Sequence, residues 1–459
     1  MFLHTFLRII KNLKEKKSPG YDLITAEVLK QLPSVGIVKI TSIINASFNL
    51  KYVPTYWKIA EVIMIQKPGK PGYDVSSYRP ISLLPTISKL FEKILIKRLN
   101  KIIERKAIIP AHQFGFRANH STIDQIHRIT NTIEKAFEEK KFCSTVFLDV
   151  AKAFDKVCHK GLLSKLKLIL PKQYYDIIKS YLSDRYFRVK QGDEYSSLKK
   201  IKAGVPQGSV LGPLLYILFT HDLPVDYNYT TATFADDTAL LAVGSSEHES
   251  TNNLQEAVNK VLHWAKKWQI KLNEAKSVHI VFTYNKIQYL PIFIDGVRIP
   301  YYNSAKYLGM TLNSKLRWKI HVKNKRKELD MRLKNINWLI GNKSVLSIEN
   351  KLLIYKQVLR PIWSYGAQLW GCTNANNKKV IQQFQNKILR VIVKAPWYCR
   401  CADIERDLNV NSVNAEILKI AATHEARLLM HCNEEVVMLT SRDGPPRRLK
   451  RIKPSDLLN

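Results

Sequence analysis

At 459 residues and 46% hydrophobic, the chain has enough apolar side chains for a large core and roughly two to four subdomains, which excludes a disordered tail. Lys and Arg number 73 against 38 Asp and Glu, a formal net charge of +35. That excess calls for a polyanion partner, first of all nucleic acid, with a membrane surface as the weaker alternative. The basic residues are spread along the chain, which fits a long basic channel better than a basic arm. Six cysteines are too sparse for a disulfide framework and fit a reducing compartment. Arg8, Lys11 and Lys14 interrupt the apolar N-terminus, so it is neither a signal peptide nor a membrane span, and no other segment reaches span length.

Residues 1–50 read as helical, broken at Pro19-Gly20 and at Pro33. Residues 57–67 read as a strand ending in the turn Lys67-Pro68-Gly69-Lys70-Pro71-Gly72. Over 86–108, Leu90, Ile94, Leu95, Leu99 and Ile102 fall at helical spacing with Lys and Arg opposite, and 122–141 is a second such helix. Thr145 to Leu148 is a short buried strand leading into Asp149. Residues 170–184 are helical, and 209–220 form a strongly apolar helix after a Gly-Pro loop. Thr231 to Phe234 and Ala239 to Val243 are apolar runs on either side of Asp236-Asp237, the pattern of two strands joined by a tight turn. A helix over 250–268 and a strand over 277–283 follow; from about 315 the pattern is helical and basic. There is no repeat of fixed period, and the mixture predicts the α+β class with a helical C-terminal portion.

Asp236 and Asp237 are adjacent carboxylates at a turn between largely buried strands. Like charges so close raise each other's pKa unless a cation neutralises them. A divalent metal is one explanation; an ordinary acidic hairpin turn is the other. Asp149 ends a third apolar strand, where a helix N-cap before Ala151 is the alternative. The three carboxylates converge only if the strands are neighbours in one sheet. Two-metal phosphoryl transfer needs such a set, and magnesium suits hard oxygen ligands. Cys399 and Cys401 are one residue apart, with His424 and Cys432 downstream; structural zinc pairs usually have two to four residues between them, so zinc is the minor alternative.

The string Leu148 to Val157 (LDVAKAFDKV) resembles motif A of reverse transcriptases, AGVPQGSVLGPLL (203–215) motif B and FADD (234–237) motif C, in the family's order. YRPISLLPTISKLFEKI (78–94) and HQFGFRANHST (112–122) are similar to the fingers of non-LTR, LINE-type retrotransposon enzymes. WAKKWQIKLNEAKS (264–277) resembles motif D and KYLGMTLNSKLRWKIH (306–321) the segment after it. RPIWSYGAQLWG (360–371) and APWY (395–398) resemble the C-terminal part of jockey-type elements, so the likeness covers nearly the whole chain. It implies a right-hand polymerase fold: an N-terminal extension and fingers over 1–142, a palm with an antiparallel sheet over 143–312, and a helical basic thumb and C-terminal region over 313–459. The expected activity is RNA-directed DNA polymerisation with magnesium, or manganese, on template RNA, primer DNA and dNTPs, without a membrane.

The resemblance also assigns roles. Asp149, Asp236 and Asp237 match the metal-binding carboxylates, Asp237 the least direct. Val150 offers a backbone carbonyl to a metal or an amide to the triphosphate. Phe154 matches the aromatic steric gate that collides with a ribose 2′-hydroxyl; a core aromatic on a helix is the alternative. Gln207 is expected beside the nascent base pair, and Gly208 lets backbone come close there. Lys67 and Arg79 match finger positions that hold the triphosphate, where a solvated basic surface serves equally. Lys276 matches the motif D lysine that protonates pyrophosphate, with a plain surface lysine as the alternative. Tyr21 and Leu23 stand where relatives often carry small residues, and Ala118-Asn119 replaces a commonly charged pair, which bears on template grip.

Full-length jockey-type proteins carry an N-terminal endonuclease, and this sequence resembles a fragment or truncated copy without it. A catalytically silent nucleic-acid-binding remnant is the competing function; an RNA-directed RNA polymerase is a third, against which Phe154 weighs. Action at chromosomal DNA implies the nucleus, with Arg447-Arg448-Leu449-Lys450-Arg451 a weak import hint. Aromatics at 355–370 serve base stacking or, the favoured reading, a helix-packing core. Oligomeric state is left open.

Overall fold

The computed structural model describes residues 3–441 and 446–458. Its first nine strands are β1 (Ile59–Gln66), β2 (Tyr78–Leu83), β3 (Phe142–Leu148), β4 (Tyr186–Gln191), β5 (Glu194–Tyr195), β6 (Lys199–Lys200), β7 (Thr230–Phe234), β8 (Asp237–Gly244) and β9 (Val278–Phe282). The class is α+β, as expected. The chain divides into two units: Met1–Phe116, Val150–Pro224 and Val261–Leu272 form unit 1, and Arg117–Asp149, Val225–Lys260 and Asn273–Asn459 form unit 2. These units cut across the ranges 1–142, 143–312 and 313–459.

Unit 1 contains a sheet of order β2-β1-β4-β5 with β6 on β4. β1 runs antiparallel to β2 and parallel to β4. Strands β4 to β6 are absent from the sequence reading. The expected helix over 170–184 ends at Leu182, and Asp184, left-handed at φ 51°, reverses the chain into β4. The expected helix over 86–108 spans Thr86–Arg105 and buries Leu90, Ile94, Leu95, Leu99 and Ile102. The helix Gly212–Phe219 buries all its residues except Pro213, which is why it reads as apolar on every side.

Unit 2 contains a four-stranded sheet of order β7-β8-β3-β9, antiparallel throughout. β3 is internal, and Cys143 to Leu148 are all buried, so its apolar run shows no alternation. The helix Thr122–Glu138 packs against β3 and β7. A capping box starts it: Asp124 N–H donates to Ser121 Oγ (3.2 Å) and Ser121 N–H to the Asp124 carboxylate (2.8 Å).

The C-terminal helices of unit 2 share this core. Tyr355, Trp363 and Trp370 are at most 1% exposed, so the aromatics at 355–370 build core and are not a stacking surface. Four C-terminal residues line the polar face of Thr122–Glu138: Arg427 pairs with Asp124, Glu435 with Arg128, Arg451 with Glu134 and Lys453 with Glu138. Within the basic run 447–451, Arg447 pairs with Asp456 and Arg448 donates to the Phe137 carbonyl (2.8 Å), while Arg447, Arg448 and Lys450 keep exposed surface.

Candidate active site

β7 and β8 form the expected tight hairpin. Phe234 pairs with Asp237, leaving Ala235 and Asp236 as the two-residue turn. Ala235 is left-handed at φ 59°, a conformation that L residues other than Asn and Asp seldom adopt, so the hairpin stores backbone strain beside its acids. β3 pairs with β8 up to Leu148 and Thr238, and one further step in that register sets Asp149 opposite Asp237. All three carboxylates therefore lie at one end of the unit 2 sheet. Residues 151–156 are turns and not the start of a helix, because Lys152 at φ 53° breaks helical continuation; Asp149 is no N-cap.

Asp149 is fixed through its backbone. Its N–H donates to Ser277 Oγ (3.2 Å), its carbonyl accepts from Asn273 N–H (2.8 Å), and Ser277 Oγ donates to the Asn273 carbonyl (2.8 Å). The same loop carries Lys276, whose Nζ lies 3.9 Å from Asp149 Oδ2. Asp237 keeps an exposed surface, yet the protein packed around it strips water from its carboxyl. That desolvation, followed by the charges of Asp236 and Asp149, pushes its pKa from 3.8 up to about 6. Among the described residues no three His, Cys, Asp or Glu side chains already stand in position to hold one metal ion. The donor set is nevertheless the kind a hard divalent cation takes: carboxylate oxygens near enough to repel, with one lysine beside them. Cys401 Sγ accepts instead from Arg390 Nη2 (3.3 Å).

The other candidates lie in unit 1. Val150 makes an isolated bridge to Leu272. Phe154 is half-buried in a turn, its ring stacked on Tyr216 (centroids 4.8 Å apart, planes at 22°) and met edge-on by Phe116 at 6.0 Å. It is thus not a core aromatic on a helix. The segment after it is tied to the motif B loop: Val205 N–H donates to the Phe154 carbonyl (2.8 Å) and Gln207 Nε2 to Asp155 Oδ1 (3.2 Å). Gly208 has φ 110°, and a Cβ there would lie 2.6 Å from the Ser82 carbonyl oxygen. The close approach it permits is to the backbone of β2, where Ser82 N–H also donates to the Gln207 carbonyl (2.7 Å). Lys67 and Arg79 share the β1–β2 hairpin; Lys67 Nζ donates to the Ser76 carbonyl (2.8 Å), and Arg79, exposed, pairs across the ladder with Ile65.

Sequence reasoning missed Glu92. It is wholly buried and accepts from Val210 N–H (2.6 Å), Leu211 N–H (2.9 Å) and Tyr181 OH (3.0 Å), so it holds the residues just after Gly208. Burial pushes its carboxyl pKa up, against the pull of these donors and of the Arg185 guanidinium. The available signal was a charged residue amid Leu90, Phe91, Ile94 and Leu95 on the apolar face of a helix.

A family model described as "Reverse transcriptase (RNA-dependent DNA polymerase)" matches residues 65–312. The probable RNA-directed DNA polymerase from transposon X-element of Drosophila melanogaster is 42% identical over 455 residues, covering 98% of this chain and 50% of that protein. Its counterpart from transposon BS of the same species is 41% identical over 454 residues, 97% of this chain and 50% of the relative. The RNA-directed DNA polymerase from mobile element jockey of that species is 38% identical over 468 residues, 98% and 51% of the two chains. The chain spans about half the length of the curated relatives it matches. The α+β class with an antiparallel palm sheet is the right-hand polymerase class that this match carries. From the ordered motifs, the matched span and the identities along nearly the whole chain, it follows that this protein belongs to the reverse transcriptase (RNA-dependent DNA polymerase) family, within the jockey-type non-LTR group.

Proposed function

We propose that the chain is an RNA-directed DNA polymerase that extends a DNA primer on a template RNA from dNTPs. The observation that carries the reading is the set Asp149, Asp236 and Asp237 at one end of adjoining β3, β7 and β8, with mutual repulsion expressed at Asp237. These carboxylates would hold magnesium or manganese, which supplies positive charge to activate the primer 3′-hydroxyl and to offset the charge on the triphosphate. The reaction joins that hydroxyl to the α-phosphate and releases pyrophosphate. Lys276, beside Asp149, is the proton donor to the departing pyrophosphate. Lys67 and Arg79 bind the triphosphate, and Val150 contributes backbone to the same task. Phe154 excludes the ribose 2′-hydroxyl, its ring angle set by Tyr216 and Phe116. Gln207 orients the incoming base, with the Gly208 turn fixing its backbone. Chromosomal DNA in the nucleus is the site of action in this reading.

The test is primer extension by purified protein on an RNA template with a DNA primer. The expected result is dNTP incorporation that requires a divalent ion and disappears in Asp236→Asn. Incorporation by that variant at the wild-type rate, or none by wild type under any divalent ion, would overturn the proposal.

A further inference from the structure

In the string Ala395-Pro396-Trp397-Tyr398 the two aromatic rings belong neither to the carboxylate set nor to the core. Trp397 is 87% exposed and Tyr398 71%, in contrast to the buried Trp363 and Trp370. Each ring forgoes the stabilisation that burial would give it. Loose backbone is not the reason. Cys399 N–H donates to the Pro396 carbonyl (3.2 Å), closing a turn with Trp397 and Tyr398 at its two central positions. Arg390, in the last turn of the helix Ala375–Val393, clamps both ends of that turn. Its Nη1 donates to the Pro396 carbonyl (2.7 Å) and its Nη2 to the Cys399 carbonyl (2.6 Å). The helix stops at Lys394, left-handed at φ 53°. The two rings are thus held out at a braced tip, centroids 6.0 Å apart and planes at 79°.

The surface around the tip is cationic. Lys387, Lys394 and Arg400 are exposed, and the nearby Asp403 is paired with Arg406 at 3.0 Å. A rigid aromatic pair flanked by cations suits flat bases joined by phosphates: the rings stack on the bases and the side-chain charges meet the backbone. It suits a duplex poorly, because paired bases hide their faces. We infer that the 396–399 turn is a stacking platform for unpaired bases of single-stranded nucleic acid, with Lys387, Lys394 and Arg400 as its phosphate contacts. The site is separate from polymerisation and needs neither a divalent ion nor a dNTP.

The experiment uses the full chain in buffer free of divalent ions and dNTPs, so a failed polymerase assay leaves its readout intact. The probe is oligouridine of about 12 nucleotides carrying 5-iodouridine, with a blunt duplex of equal length as control. Cross-links are expected at Trp397 or Tyr398. Trp397→Ala with Tyr398→Ala is expected to weaken oligouridine binding about tenfold or more, while duplex binding stays unchanged and Trp397→Phe restores most of the loss. Cross-links confined to other residues would overturn the inference. So would wild-type oligouridine affinity in the double variant, or equal loss of duplex and oligouridine binding. A double variant that alters only self-association would assign the turn to a protein interface instead.

Discussion

Asp237 is asked to stay ionised where its surroundings oppose it. The folded protein holds its carboxyl near pKa 6, against 3.8 unperturbed, so the folded state binds that proton more tightly than the unfolded chain. The sign follows: this group favours folding below about pH 4, and its contribution is lost as pH rises through about 6. Asp237→Asn should therefore leave ion-free protein no less stable than wild type at pH 5 and more stable at pH 7.5, read by thermal melting in chelator. A divalent ion competes with the same proton, so Mn2+ binding should weaken as pH falls from 7 to 5, and binding should release protons to weakly buffered solvent. A melting difference independent of pH would contradict the assignment. At Phe154 the prediction concerns selectivity. Phe154→Val removes the ring while Tyr216 and Phe116 remain, and preference for dNTP over NTP should fall by about 10–100-fold, measured as the ratio of kcat/KM values. An unchanged ratio would show that the ring is packing alone.

At the scale of elements, the motif B loop depends on a helix outside it. Glu92 on Thr86–Arg105 takes the N–H groups of Val210 and Leu211, just before the helix Gly212–Phe219. Glu92→Ala leaves these donors without their acceptor in a buried setting and should cost about 3 kcal/mol, measured by urea unfolding. Glu92→Gln keeps the shape and one acceptor and should cost less. In both, KM for dNTP should rise before kcat falls, because Glu92 acts by positioning the loop that carries Gln207. The sequence conveyed elements with strong periodicity and motifs with fixed neighbours: the helix from Thr86, the β7–β8 hairpin and the strand into Asp149. It did not convey β4 to β6: β4 is defined by pairing to distant β1, and the two-residue β5 and β6 by pairing to β4. Nor did it convey Glu92, whose partners Tyr181, Val210 and Leu211 lie 89 to 119 positions away, or the true contact of Gly208, because spacing along a chain says nothing of which backbone folds over it.

For the whole molecule, net charge spread along the chain suggested a long basic channel, but part of the C-terminal charge is spent in ion pairs with buried acids. Glu134 and Glu138 are buried at 6% and 5% exposure, and Arg451 and Lys453 are their ion-pair partners in unit 2. Burial alone would raise the Glu138 carboxyl, but the Leu449 and Arg448 N–H groups and Lys453 outweigh it and hold its pKa low. A lowered carboxylate pKa stabilises the fold above its unfolded value and loses that effect on acidification. Ending the chain after Ser441 would leave both carboxylates buried without these cations, a loss of about 3–5 kcal/mol in unit 2. The gap between full-length and shortened protein should be widest near neutral pH and narrow below about pH 4.5, where Glu138 takes a proton in the shortened chain. Combining the truncation with Glu134→Gln and Glu138→Gln removes the unpaired charges and should recover part of the loss at pH 7 but little at pH 4. Urea unfolding at the two pH values reads this directly. Equal stability of shortened and full-length chains at pH 7 would mean that the 446–458 segment is an ornament on unit 2 rather than the partner its buried acids require.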